Sequence, residues 1–288
     1  MSLIWITWDT TMANKKILVT GHLGYIGSHL FKELKKNPKY NVFGIDIKEG
    51  NDILHCLPDE KFDCVYHLAA LPRVEYSVEN PFYTMKQNVL VTSKLLEWSK
   101  NHDVRAFIFS SSSALYGSGA GPKSPYGLHK LISEMECDLY QDLYGIKCVC
   151  LRYFNAYSED QEFGGAYSTV VSAWMQMIKE GKPLRIDGDG EQSRDFIHVD
   201  DIVSANIWCM NNISKLNNLW YDVGYGETCT LNDIKRVVDE YNTVEWLNGP
   251  SRPGDVKHTE IGSQRLQITG WQPKINLKSG LKNCFKSK

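Results

Sequence analysis

The stretch that most constrains this 288-residue chain is Lys16-Ile17-Leu18-Val19-Thr20, an apolar run that passes straight into Gly21, Gly24 and Gly27 and then into a helical pattern. Glycines at that spacing let the backbone turn tightly and approach a pyrophosphate, whose charge then rests on N–H groups at the helix start, around Tyr25 and Ile26. Three glycines alone are compatible with a plain tight turn. The context points further, because a strand precedes them, a helix follows, and an acid, Asp46, ends the next strand 19 residues after Gly27. An aspartate there accepts hydrogen bonds from an adenosine ribose and repels a 2′-phosphate, which selects NAD over NADP. Lys48, two residues on, is the feature that opposes this choice.

The pattern that begins there continues. Short runs at Asn41–Ile45, Cys64–Leu68, Ala106–Ser110 and Lys147–Leu151 alternate with helix-length stretches at Tyr25–Lys36, Phe82–Asn101 and Tyr126–Tyr144. Strands so continuously apolar suit burial on both faces, and their alternation with helices predicts a doubly wound parallel sheet of the Rossmann type. After Leu151 the alternation weakens and glycines punctuate shorter elements, as expected of a smaller C-terminal cap. The expected organisation is a tail over residues 1–13, a dinucleotide-binding domain over 14–155, and a mainly substrate-binding part over 156–288 with pieces returning to the first domain. Met12 is the expected natural start.

Composition narrows the partners. The 32 Lys and Arg against 34 Asp and Glu give a net charge of −2, so no overall field draws the chain to nucleic acid or an anionic membrane. Met1–Thr11 has neither a basic start nor a sustained apolar run, which argues against a signal peptide or membrane span. The eight cysteines never form CxxC and sit in apolar segments, so they read as buried thiols of a cytoplasmic protein, and no metal site is expected.

A second constellation carries chemistry. The fourth strand ends in Ser110-Ser111-Ser112-Ser113, and the following helix opens with Tyr126-Gly127-Leu128-His129-Lys130. Tyr126 and Lys130 are four apart and share a helical face. A phenol with an ordinary pKa of about 10 needs a neighbouring ammonium to act as a base near neutrality, and a serine hydroxyl can hold or relay the proton. Tyr-xxx-Lys alone is a common surface pair; its placement after a serine-rich strand end and a phosphate-type turn is what gives it weight.

With these residues in hand, the chain resembles the extended short-chain dehydrogenase/reductase family, and within it the nucleotide-sugar epimerases. The resemblance runs from about Lys15 to Leu281 and rests on Thr20–Gly27, His67-Leu68-Ala69-Ala70, Ser112–Gly117, Tyr126–Lys130, Leu151–Asn155, Gly188-Asp189-Gly190 with Arg194-Asp195-Phe196, and Arg252-Pro253-Gly254-Asp255. It implies NAD as cofactor, with Asp52 and Ile53 at adenine and Tyr153 beside the nicotinamide. It implies that Asn155, Arg194, Arg252 and Asp255 hold the nucleotide diphosphate of a sugar substrate, a task that suits the planar fork of arginine. The implied reaction inverts C4 of a UDP-linked hexose through a 4-keto sugar, with Ser112, Tyr126 and Lys130 catalytic. The family also implies a homodimer through the Phe82–Asn101 and Tyr126–Tyr144 helices. Thr259 matches the position beside the C2 substituent, where a small residue leaves room for an N-acetyl group.

Sister activities fit less well. Sugar 4,6-dehydratases carry an Asp-Glu pair where Ser113-Ala114 stand, so β-elimination loses its acid and base here. Fucose-synthase-like enzymes place a cysteine beside the serine, absent here. Two departures from the family pattern stand out: only 13 residues separate Ser112 from Tyr126, with a pared-down Ser118–Pro122 loop, and Ser158 replaces a favoured glycine. The alternatives left open are another nucleotide-sugar dehydratase or reductase of this fold, and a non-catalytic nucleotide-sugar-binding relative.

Overall fold

The computed structural model describes residues 14–117, 119–164, 169–251, 258–259 and 264–286. The first half runs β1 (Lys15–Thr20), α1 (Tyr25–Lys35), β2 (Tyr40–Ile45), β3 (Cys64–His67), α2 (Val74–Glu79), α3 (Pro81–Met85), α4 (Val91–Asn101), β4 (Ala106–Ser112), α5 (Pro125–Tyr144) and β5 (Lys147–Tyr153). The second half adds β6 (Asn155–Tyr157), α6 (Val170–Lys179), β7 (Leu184–Asp187), β8 (Ser193–His198), α7 (Val199–Asn211), β9 (Trp220–Val223), β10 (Thr228–Thr230), α8 (Leu231–Tyr241), β11 (Trp246–Gly249), β12 (His258–Thr259), α9 (Arg265–Ile268) and α10 (Leu277–Phe285).

Six parallel strands form the central sheet in the order β2-β1-β3-β4-β5-β9. All five runs read from the sequence are in it. The sixth strand, β9, comes from the second half. Its Trp-Tyr-Asp-Val sequence places the fully buried Asp222 in the strand and so breaks the apolar run that marks its neighbours. Alternate residues of each strand enter opposite layers. Ile17, Val19, Tyr66 and Ile108 pack under Leu30 and Leu34 of α1 and Ile202 and Met210 of α7, while Leu18, Val65 and Phe107 pack under Leu95 and Leu96 of α4 and Cys137 of α5. Both faces are dry over β1, β3, β4 and β5, which is what makes a strictly parallel sheet viable, while the edge strand β2 leaves Asn41 and Phe43 exposed.

A smaller core joins β8 and its partners to α6, α8 and α10 through Trp174, Ile186, Phe196, Ile234, Val238 and Leu281. The chain leaves β1 for β2 on one side and returns to β3 on the other. That reversal opens a crevice at the carboxyl ends of β1 and β3, where open α/β sheets bind ligands.

Candidate active site

The crevice is a groove of about 590 Å³. Its floor begins at the glycine turn. Gly21 has φ +74°, and a Cβ there would stand 2.6 Å from the backbone nitrogen of Ala69 on the next loop. A Cβ on Gly27 would stand 2.0 Å from the Gly21 carbonyl oxygen. Only glycine permits this turn to lie so close to both neighbours. Gly24 caps α1 without a side-chain acceptor, and the first turn holds no acid, so the positive end of the helix faces the groove. Asp46 closes this end: its Oδ2 accepts from Leu23 N at 3.0 Å and its Oδ1 from Lys48 N at 2.9 Å. A carboxylate has about four acceptor positions, so two backbone bonds leave it able to take a ribose. The Lys48 ammonium is tied back to the Leu23 carbonyl at 2.9 Å.

Gly21, Gly24, Tyr25, Ile26, Gly27, Asp46, Asp52, Ile53 and Tyr153 all line this one groove, together with Ser112, Tyr126 and Lys130. The last three are brought there by two elements. Ser112 ends β4 and its Oγ accepts from Ala114 N at 3.2 Å, capping a short turn while keeping its own hydrogen to donate. Ser124 caps α5 by accepting from Gly127 N, Pro125 occupies its first turn, and Ser77 Oγ of α2 accepts from Tyr126 N at 3.1 Å. Tyr126 is thus fixed on the first turn of a 20-residue helix that ends at Gly145 with φ +74°. Lys130 is 3% exposed, and its Nζ donates to the Ser110 carbonyl at 2.6 Å and lies 4.7 Å from the centre of the Phe109 ring. Burial pushes its ammonium down to about 8.

The NAD-dependent epimerase/dehydratase family model matches residues 17–224, which spans this groove and the sheet that builds it. The chain belongs to that family. A putative UDP-glucose 4-epimerase of Methanocaldococcus jannaschii is 34% identical over 92% of this chain and 96% of its own length. The UDP-N-acetylglucosamine 4-epimerase of Methanobrevibacter ruminantium, solved with UDP-N-acetylmuramic acid, superposes with a TM-score of 0.83 at 30% identity, covering 95% of this chain and 98% of that one. The UDP-glucuronic acid 4-epimerase of Bacillus cereus, solved with UDP-glucuronic acid and NAD, superposes with a TM-score of 0.80 at 30% identity over 94% and 98%.

In this epimerase/dehydratase chain the residues expected to hold the sugar nucleotide that are described lie on distant strands of a second, smaller sheet. Asn155 opens β6 and donates from Nδ2 to the Asp195 carbonyl at 2.9 Å. Arg194, on β8, pairs in register with Thr259 of β12. The Thr259 Oγ1 is enclosed, with no hydrogen-bond partner among the described residues. Asn155, Arg194 and Thr259 stand together on one small sheet, away from the walls of the cofactor groove. Arg252 and Asp255 lie outside the described residues, as does the tail over residues 1–13.

Three further residues support the groove and were not singled out from the sequence. His67 is buried between Thr20 Oγ1 at 2.8 Å and Thr92 Oγ1 at 2.9 Å, and burial beside the Lys130 charge pushes it down to about 3, so it stays neutral. Asn88 sits in a π turn over Lys86–Leu90 and bonds both backbone groups of Leu71, at 2.7 and 3.1 Å, holding the loop after β3 against the groove. Ser77 anchors Tyr126, as above. His67 lies within a quoted motif; Asn88 and Ser77 act on backbone far away in sequence, and no local pattern reports them.

Proposed function

We propose that this chain is an NAD-dependent 4-epimerase of a UDP-linked hexose or N-acetylhexosamine. The observation that carries the reading is the joint presence, on one groove, of the glycine turn with Asp46 and of Ser112, Tyr126 and Lys130, with no carboxylate in the Ser113–Leu115 turn that follows the serine. Gly21, Gly24, Tyr25, Ile26 and Gly27 would hold the pyrophosphate of the dinucleotide, Asp46 its adenosine ribose, Asp52 and Ile53 its adenine, and Tyr153 the nicotinamide. Bound NAD supplies the two-electron acceptor and donor at the sugar's C4. Tyr126 takes the proton of the 4-hydroxyl as C4 is oxidised and returns it to the 4-oxygen when hydride comes back to the opposite face of C4, Ser112 hydrogen-bonds the 4-oxygen, and the buried Lys130 favours the phenolate. Asn155, Arg194, Arg252 and Asp255 would grip the nucleotide diphosphate, and Thr259 would face the C2 substituent.

Incubation with UDP-glucose and with UDP-N-acetylglucosamine, followed by resolution of the products, tests this. C4-inverted sugar without net oxidation supports it; 4-keto-6-deoxy sugar, or no turnover of either, overturns it.

Assembly is part of the same proposal. Leu128, Met135, Leu139 and Leu143 run as an exposed stripe along α5, with Phe82 77% exposed nearby on α3. Exposed large apolar side chains in a row mark an interaction surface, and a second copy docking α4 and α5 onto themselves would bury it. Light scattering should give twice the chain mass. A cytoplasmic setting suits the eight unpaired cysteines, and among the described residues no helix is long and apolar enough to cross a membrane.

A further inference from the structure

Behind the groove wall runs a buried polar chain that none of these roles uses. Glu134 lies on α5, one turn beyond Lys130, and is 3% exposed. It accepts from Ser111 Oγ at 2.5 Å and from Arg152 Nε and Nη2 at 2.9 and 2.6 Å. Arg152 Nη1 donates to Tyr116 OH at 2.8 Å, and Tyr116 donates to Asp222 Oδ1 of β9 at 2.7 Å. The Trp220 ring lies 3.8 Å from the guanidinium carbon. Burial works against the Arg152 charge, but Glu134 more than offsets it and holds the side chain firmly protonated.

Two charges taken out of water are costly, and well-packed apolar residues would usually serve stability as well. The placement of this pair supplies another reason for it. Ser111 precedes Ser112 and Tyr116 closes the turn after it, so one guanidinium and its carboxylate partner grip the Ser112 turn from both ends. Arg152 itself precedes Tyr153, and Glu134 shares a helical face with Tyr126 and Lys130.

We propose that Glu134 and Arg152 are positioning residues of the reaction, which lock the Ser112 turn onto α5 and set the electrostatic field at Lys130. This rests on the reading of Ser112, Tyr126 and Lys130 given above. The groups facing Lys130 are Glu134, Cys137 and the Tyr126 ring from α5, Cys150 from β5, the Ser110 carbonyl and Phe109 ring from β4, and the neutral His67 from β3. Glu134 is the carboxylate among them. Removing a nearby negative charge eases proton loss from every group it faced, so Glu134→Gln moves the kcat–pH profile to lower pH. Lys130→Met, which removes a positive charge, moves the acid limb the other way.

The experiment measures kcat, KM and pH profiles on full-length protein for wild type, Ser111→Ala, Tyr116→Phe, Glu134→Gln and Glu134→Asp, with the NAD-induced rise in melting temperature as a check on the cofactor half. The milder Ser111→Ala and Tyr116→Phe should each lower kcat by about tenfold with KM and the NAD shift unchanged, as expected when a reacting group is displaced slightly. Glu134→Gln should displace the pH profile downward and Glu134→Asp should restore it. If the glutamine variant does not fold, the two milder variants decide. Wild-type kcat in both, or a Glu134→Gln profile superimposable on wild type, overturns the proposal while the epimerase reading stands. Absence of turnover in the wild type itself overturns both.

Discussion

The two ends of the site are built on different principles. The proposed cofactor end is backbone: Gly21, Gly24 and Gly27 shape a turn whose close approaches, 2.0 Å and 2.6 Å to a hypothetical Cβ, leave no room for a side chain. The proposed sugar end is side chains: Asn155, Arg194 and Thr259 come from three strands of a small sheet and share it only because β6, β8 and β12 pair. The difference teaches where each end tolerates change. A backbone cradle cannot be adjusted one residue at a time, whereas a side-chain pocket can change its substrate by a single substitution. Ser112, Tyr126 and Lys130, on β4 and α5, line the groove of the glycine turn, and under the proposed function they act on both cofactor and sugar.

The comparison can be broken most sharply at the junction. Tyr126→Phe should lower turnover by about 10³-fold, in the range of a lost general acid–base group, while the NAD-induced rise in melting temperature persists. Turnover near wild type would remove Tyr126 from the mechanism. At the cofactor end, Gly27→Ala should weaken NAD binding by about 10²-fold, a loss of roughly 2.7 kcal/mol, because the added methyl would meet the Gly21 carbonyl. Titration calorimetry measures it, and an unchanged affinity would mean that the cradle is more pliant than its geometry indicates.

At the sugar end, Thr259→Tyr should lower turnover of UDP-N-acetylglucosamine by roughly 10- to 200-fold while changing that of UDP-glucose by less than about tenfold, since a pocket discriminates one added group by about 1–3 kcal/mol. Equal loss on both sugars would show that Thr259 does not face C2. The smallest expected effect sharpens the middle. Lys130→Met should move the acid limb of the kcat–pH profile up by about one unit, because the phenolate loses the buried ammonium beside it. An unmoved limb would assign the tuning to another group.

The same contrast explains what could be read from the chain alone. Four of the five strands were legible because Ile17, Val65, Phe107 and their neighbours are buried on both faces and leave continuous apolar runs, and the edge strand β2, with Asn41 and Phe43 exposed, was legible from its place in the alternation with helices. The glycine turn and the Tyr126–Lys130 spacing were legible because their geometry is local, set within a few residues by φ and helical period. By contrast β9 escaped notice, because Asp222 inside it answers to Tyr116 across 106 positions of sequence. Asn88 bonds Leu71 and Ser77 bonds Tyr126 N, 17 and 49 positions away. A hydrogen bond between groups that distant leaves no periodicity for a linear reading to find.

By itself, then, the amino-acid sequence determined the parallel α/β class, the phosphate-type turn, the acid that follows it and the helical pair Tyr126 and Lys130, all consequences of short-range sterics and of the two periods, 2 and 3.6, at which side chains repeat. The tertiary structure decided which of these share one groove, that the second half returns β9 and α7 to the first half's sheet, and that Arg152, Glu134, Tyr116 and Asp222 close into one buried chain. The physical reason is that burial and charge pairing depend on distance in space, and only folding converts a separation of 106 residues into one of 2.7 Å.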